Sequence, residues 1–355
     1  MDNVTGTAFL LTGGAFLEVD AKTSHGLIRG SSRFTITAVI DPIHHGQDAG
    51  KLLAGKNRNI PIFESIDAAI RRIGTPDYCI IGIATVGGVL PVFLEDPIKK
   101  ALTNGISIVN GLHDFLQNRS DYVQLASENH ARLIDIRKPR KFGELRFWTS
   151  EIYSVACPVI ALLGTDCAVG KRTTGQLLLE YCQNHGMKAE MVYTGQTGWM
   201  QGYKYGFIFD ATINDFVSGE LAHAIIQAYN SEKPDLIFIE GQSSLRNPSG
   251  PCGSEILVSG NAKYTVLVHE LCRKHFDENP EWGIIPSIES EVNLIESYGS
   301  RVIALILNTR HCNPEEVKSK KENYSKQLDI PVLDPFEEGM DALAPVLREL
   351  LTHED

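Results

Sequence analysis

Basic charge is in short supply in this chain. Thirty-three Lys and Arg face 44 Asp and Glu, for a net charge of −11 over 355 residues. A nucleic-acid-reading surface is normally basic, so no nucleic-acid partner is expected, although a small cationic pocket for an anion is not excluded. Long apolar runs are missing too. None reaches the roughly 18 to 20 residues that cross a bilayer as a helix, and Met1-Asp2-Asn3-Val4-Thr5 lacks the basic start and apolar core of a secretory signal. The expectation is a cytoplasmic protein with no membrane partner. The seven cysteines include no Cys-x-x-Cys pair and are odd in number, so reduced core thiols are expected, Cys272 and Cys312 among them. No His/Cys/Asp cluster has metal-ligand spacing, and no metal is expected. Gly13-Gly14 is not a G-x-G-x-x-G fingerprint. Nicotinamide binding is therefore a minor reading, despite Asp41 standing where dinucleotide folds often place a ribose-binding acid.

What is present is a phosphate-binding loop. The apolar run Val159 to Leu163 feeds Gly164-Thr165-Asp166-Cys167-Ala168-Val169-Gly170-Lys171-Arg172-Thr173-Thr174, and an amphipathic stretch, Gln176 to His185, follows. A strand, a glycine-bounded turn and a helix start gather backbone N–H groups at the positive end of a helix dipole. Lys171 adds a mobile cation for terminal phosphates. Two departures from the common pattern carry information. Five residues rather than four separate Gly164 from Gly170, and Arg172 stands where Ser or Thr usually follows the lysine. The longer spacing resembles the loop of dethiobiotin synthetase, in which Thr follows Lys directly. Displacing the hydroxyl to Thr173 preserves phosphate binding and weakens the case for magnesium-dependent hydrolysis.

At this length two domains are expected, and the pattern divides near Pro139 to Thr149: residues 1–145 as a Rossmann-like domain and 146–355 as a P-loop NTPase-like domain. In the first, apolar runs at Thr7 to Leu11, Phe34 to Ile40, Tyr78 to Ala84, Ile106 to Val109 and Arg132 to Ile136 alternate with helices at Ile66 to Ile73, Pro97 to Asn104 and Asp121 to Asn129. Such alternation implies an α/β fold with a parallel sheet and helices on both faces. After the phosphate loop, strands are expected at Lys188 to Tyr193, Asp235 to Ile239, Tyr264 to His269 and Val302 to Leu307. Helices are expected at Phe216 to Tyr229 (with Asp215 as N-cap), Glu289 to Ser297, Pro314 to Gln327 and Met340 to Leu351. The tail Thr352-His353-Glu354-Asp355 is expected to fray.

Ligands of parallel sheets sit beyond the carboxyl ends of the strands, and the polar clusters there supply the candidates. In Thr194-Gly195-Gln196-Thr197-Gly198, Gln196 and Thr197 are candidates for hydrogen bonds to the phosphorylated ligand; a plain turn is the other reading. In Glu240-Gly241-Gln242, an acid ends an apolar strand and is a candidate metal support or proton acceptor. His269 is a second candidate base, or a satisfied structural histidine. Lys22, His25, Arg29, His113 and Arg137 in the first half, with Gln242 and Arg246 in the second, are candidates for gripping an acidic substrate.

Taken together, Lys22-Thr23-x-His25-Gly26-Leu27-x-Arg29, Gly111-Leu112-His113-x-Phe115-Leu116, Asp135-x-Arg137-Lys138-Pro139, the phosphate loop, Thr194 to Gly198 and Glu240-Gly241-Gln242 resemble a bacterial and archaeal family. It was long catalogued as a domain of unknown function and is described as D-glutamate N-acetyltransferase-like. The resemblance runs from about Ala21 to about Asn308. It implies an N-terminal Rossmann-like and a C-terminal P-loop domain, and an activity that moves acetyl from acetyl-CoA to the amine of D-glutamate or a similar acidic amino acid. Coenzyme A carries phosphates that the loop would anchor without hydrolysis. Glu240, then His269, are the expected bases. The alternative is an ATP- or GTP-dependent ligase or kinase, with Asp166 and Glu240 supporting Mg²⁺; a non-catalytic nucleotide-binding module is a third reading. Whether the protein is a homo-oligomer is left open.

Overall fold

The computed structural model describes residues 4–352. The readings made on Met1 to Asn3 and on His353 to Asp355 lie outside these residues. Two compact units emerge. The first comprises Met1–Pro139 and Gln196–Tyr203, the second Arg140–Gly195 and Lys204–Asp355. The chain therefore leaves the second unit after Gly195 and re-enters it at Lys204.

The first unit is a six-stranded parallel sheet of β1 (Gly6–Leu11), β2 (Phe34–Ile40), β3 (Ile62–Phe63), β4 (Tyr78–Ile81), β5 (Ser107–Asn110) and β6 (Leu133–Asp135), in the order β3-β2-β1-β4-β5-β6. This is the strand order of dinucleotide-binding folds, which reverses direction between β1 and β4. Central strands covered on both faces read as unbroken apolar runs; Tyr78-Cys79-Ile80-Ile81 is buried throughout. The covering helices end at glycines. Gly74 follows Ile66–Ile73, and Gly105, with φ 73°, lies one residue beyond the Asn104 cap of Glu95–Thr103. The helix Lys22–Arg29 packs against the short helix Gln196–Gln201, all six residues of which are buried.

The second unit is a seven-stranded parallel sheet: β7 (Val159–Gly164), β8 (Ala189–Tyr193), β9 (Tyr205–Gly206), β10 (Leu236–Glu240), β11 (Tyr264–Glu270), β12 (Arg301–Asn308) and β13 (Val332–Leu333), ordered β13-β12-β11-β7-β10-β8-β9. The phosphate-loop strand β7 is central, with β11 on one side and β10 on the other. The expected α/β class, with two parallel sheets, is what the chain adopts. Several details differ. Asp215 is not a cap: Ile213 holds that position, and Asp215 lies in the first turn of the helix Asn214–Glu232. The helix expected from Met340 splits into a short 3-10 turn, Asp341–Leu343, and Ala344–Thr352. Gln196 to Gln201 is helical rather than a glycine-rich turn. Cys272 and Cys312 form a disulfide, which corrects the expectation that all the cysteines are reduced. The two lie just past the ends of β11 and β12, neighbours in the sheet but separated by 40 residues in sequence.

Candidate functional site

The phosphate loop occupies the turn between β7 and the helix Lys171–Asn184. Its path needs residues in the left-handed backbone region: Ala168 has φ 53° and Gly170 φ 117°. Ser243 (φ 39°) and Asp277 (φ 48°), from two neighbouring loops, share that conformation. Non-glycine residues held there cost roughly 1 kcal/mol or more each, and they gather at sites where the backbone must present itself to a ligand.

Lys171 lies almost wholly inside the protein. Its Nζ donates to the backbone carbonyls of Asp166 (2.7 Å) and Ser243 (2.6 Å). Burial draws its pKa down, with the surrounding anionic groups opposing. Glycines make room for it. A Cβ on Gly164 would stand 3.0 Å from Nζ, and one on Gly241 would meet the carbonyl oxygen of Leu162 at 2.0 Å and Lys171 Cδ at 3.2 Å. The lysine thus sits in a cradle that side chains would fill, as a phosphate group approaching a backbone requires.

Asp166 is held by three donors. Its buried carboxylate accepts from Asn247 Nδ2 (2.7 Å), Arg273 Nη1 (3.0 Å) and the backbone N–H of Asp277 (2.7 Å). Arg273 also donates to the Cys167 carbonyl (2.8 Å) and pairs with Glu270 at 2.6 Å. Asp166, Cys167 and Asp277 are the one group of potential ligands within 4.8 Å of one another among the described residues. The Arg273 guanidinium contacts Asp166 in that cluster, and also Glu270 and Glu278. Arg273 and Asn247 have no motif around them, and the sequence offered no signal for either.

Glu240 ends β10, opposite Leu162 of the phosphate-loop strand. It is buried. Its Oε2 accepts from the Thr194 N–H (3.2 Å) and its Oε1 lies 3.7 Å from Arg172 Nη1. Burial raises its pKa more than the Arg172 charge and the backbone N–H groups of Thr194 and Gly195 lower it. Arg172, which displaces the usual hydroxyl, thus stands beside this carboxylate, while Thr173 is half-buried and Thr174 buried in the first helical turn. Gln242 Nε2 donates to Thr194 Oγ1 (2.9 Å). His269 is also buried, its Nδ1 2.9 Å from Thr165 Oγ1, with a pKa pushed down to about 4 by burial and by the charges of Lys320 and Arg273. Such a histidine is neutral at pH 7, with Thr165 Oγ1 as its hydrogen-bond partner. Arg246 is engaged inside the unit, donating to Ser290 Oγ (2.8 Å) and carbonyl (2.9 Å) and pairing with Glu291 at 3.3 Å.

The other candidates lie in the first unit. Lys22, His25 and Arg29 stand at helical spacing on Lys22–Arg29, and His25 Nε2 is 2.6 Å from the Phe16 carbonyl. His113 packs against Gly88, where a Cβ would come within 2.6 Å of its ring. Arg137 donates to the Gly111 carbonyl (2.9 Å) and to Gln196 Oε1 (3.1 Å), and Thr197 Oγ1 lies 3.2 Å from Thr23 Oγ1. Gln196 and Thr197 are thus buried partners of first-unit residues.

Comparison with known proteins agrees with both halves. A P-loop domain described as a domain of unknown function, DUF1611, matches residues 146–344, and its Rossmann-like N-terminal companion matches residues 42–139. A protein named D-glutamate N-acetyltransferase from Pseudoalteromonas sp is 30% identical over 275 residues, which span 74% of this chain and 79% of that one. A second of the same name, from Tritonibacter scottomollicae, is 28% identical over 284 residues, 75% of this chain and 81% of that one. The crystal structure of a DUF1611 family protein from Anabaena variabilis superposes with a TM-score of 0.87 at 28% identity, over 97% of this chain and all of that one. With a Rossmann-like first unit and a phosphate loop in the second, this chain belongs to the DUF1611 family.

Proposed function

We propose that this protein is an N-acetyltransferase that moves acetyl from acetyl-CoA to the amine of an acidic amino acid, D-glutamate or a close relative. The observation that carries the reading is the pairing of a lysine-bearing phosphate loop with the buried Glu240 one strand away. Acetyl-CoA would supply the acetyl group as a thioester, and its phosphates suit the cradle of loop N–H groups and Lys171. Glu240 would take the proton that the amine loses as the amide forms. Burial already raises its pKa toward the operating range, which is how enzymes make a carboxylate an effective base. The amine must be neutral to react, and its reference pKa is about 8. Candidates for recognising the acid group are Lys22, His25, Arg29, His113, Arg137, Gln242 and Arg246.

Arg172, standing where a hydroxyl usually follows the lysine, supports a loop that binds phosphate without magnesium. The names of the relatives from Pseudoalteromonas and Tritonibacter point the same way. Calorimetric titration with acetyl-CoA, ATP and GTP, each with and without Mg²⁺, tests the reading, together with thiol release from acetyl-CoA in the presence of D-glutamate. The expected result is acetyl-CoA binding that needs no magnesium and thiol release that survives chelator. Magnesium-dependent ADP or GDP release stimulated by a carboxylic acid, with no acetyl transfer, would replace it with a nucleotide-dependent ligase or kinase. Tight nucleotide binding without turnover would make the protein a sensor.

A further inference from the structure

The phosphate loop is gripped from two neighbouring strand ends. Just past β11, Arg273 donates to the Asp166 carboxylate (3.0 Å) and the Cys167 carbonyl (2.8 Å), and the Asp277 N–H reaches the same carboxylate (2.7 Å). At the end of β12, Asn308 Nδ2 donates to the Val169 carbonyl (3.2 Å). Between these two strands the backbone ladder closes with the Leu271 N–H on the Asn308 carbonyl at 3.0 Å. Cys272 follows Leu271 directly and Cys312 lies shortly beyond Asn308, so the disulfide ties the two loops together where the ladder has run out. The loop after Cys272 has little order of its own, since it carries two short 3-10 turns, Phe276–Glu278 and Pro280–Trp282, before the helix Ile288–Ser297. The second unit has a core large enough to fold without such a staple. Both cysteines are half-buried rather than sealed in that core, and exposed disulfides are the ones that exchange.

We propose that the Cys272–Cys312 bond is a redox brace of the phosphate loop. Oxidised, it keeps the Arg273 and Asn308 grips in register and the loop shaped for a phosphorylated ligand. Reduced, it lets the two strand-end loops part and the phosphate loop loosen. The inference rests on the phosphate-loop reading of the site and is independent of which amine is acetylated. Opening takes a dithiol reductant. One of its thiolates attacks a bridging sulfur, breaking the protein S–S bond and forming a mixed disulfide. Its second thiol then displaces the protein sulfur. The protein gains two electrons and two protons as a pair of thiols, and the reductant leaves as a disulfide. By linkage, a ligand that binds the braced loop more tightly makes the bond harder to reduce by the same factor.

Hydrogen exchange at residues 165–171 of the full chain, oxidised and after dithiothreitol, tests the proposal. A thiol count under denaturing conditions checks the redox state: seven cysteines less the two in the bond leave five in the oxidised chain. Reduction is expected to speed exchange across the loop by about 5-fold or more, the lower end of coupling between sites, and to weaken inorganic pyrophosphate by a similar factor in calorimetry. Strand β4 of the first unit should keep its protection. Cys272→Ser/Cys312→Ser should exchange like the reduced parent and ignore dithiothreitol; should it fold poorly, the two states of the parent decide. Seven thiols after mild oxidation, or equal exchange at residues 165–171 in both states, overturns the proposal. So does a double variant whose loop still responds to dithiothreitol, because another thiol then carries the effect. A loop that loosens on reduction while pyrophosphate binds neither state keeps the brace and removes the phosphate reading instead.

Discussion

Two buried carboxylates stand at strand ends in the two units, and their surroundings shift them in opposite directions. Asp41 follows β2. Burial would raise its pKa, but hydrogen bonds from Thr12, His44 and Phe16 outweigh burial and hold it below the usual value. Thr12 Oγ1 alone lies 2.7 Å from Oδ2. Glu240 ends β10 with far fewer donors, and there burial prevails. The same residue class at the same place in a parallel sheet has its pKa lowered in one unit and raised in the other. The difference lies in how many N–H and O–H groups point at the oxygens.

The comparison breaks most sharply at Glu240. Glu240→Gln is expected to leave acetyl-CoA binding unchanged and to lower turnover by about 100- to 10,000-fold, the usual scale of general-base catalysis, with the deficit shrinking at high pH where the amine is already neutral. Because the folded pKa of Glu240 lies above its unfolded value, the native state binds the proton more tightly and loses stability as pH rises through that window. The variant should therefore melt no lower than the parent at pH 7. Near-normal turnover would remove Glu240 as the base.

Asp41→Asn should behave the other way round. Its carboxylate is held down, so its contribution is present above the ordinary aspartate pKa and is lost as pH falls through the depressed folded value. Denaturant unfolding at pH 7 is expected to show a loss of about 3 kcal/mol, as for hydrogen bonds to a buried charge, with the gap from the parent closing in acid. Catalysis by the folded variant should be little changed. A large loss of turnover without loss of stability would place Asp41 in the site.

Lys171→Ala sharpens the comparison from the ligand's side. Removing one charged donor should weaken acetyl-CoA by roughly 1.5 to 3 kcal/mol, about 10- to 150-fold by titration calorimetry, while the fold is kept. The smallest effect is expected at His269. Its folded pKa of about 4 lies below the usual histidine value, so the stability it confers is full above about 6.5 and declines as pH falls toward 4. His269→Gln should flatten that part of the melting-temperature profile.

Periodicity made the sheets legible, since the central strands are apolar runs that end within a few residues of their expected bounds. The phosphate loop was legible because its glycines and Lys171 serve one local geometry. Long-range partners were not. Arg273 and Asn247 reach Asp166 across 107 and 81 residues, and a lone Arg or Asn carries no periodic signal. The Cys272–Cys312 bond exists because β11 and β12 are neighbours, which spacing cannot reveal. The helix Gln196–Gln201 was not legible, because Gly195 and Gly198 suggest a turn. Burial against Lys22–Arg29 overrides that local preference.

That last helix also sets an order of events on the ribosome. Chains generally fold domain by domain from the N-terminus as they are made. Here the sheet of the first unit is complete once β6 has emerged, yet the unit still lacks Gln196–Gln201. Its surface for that helix must wait, exposed, while the first two strands of the second unit are synthesised. A nascent chain paused between Pro139 and Gln196 would show native sheet protection in hydrogen exchange but an unprotected Lys22–Arg29. Severing the gene at Pro139 would leave the first unit permanently in that unfinished state.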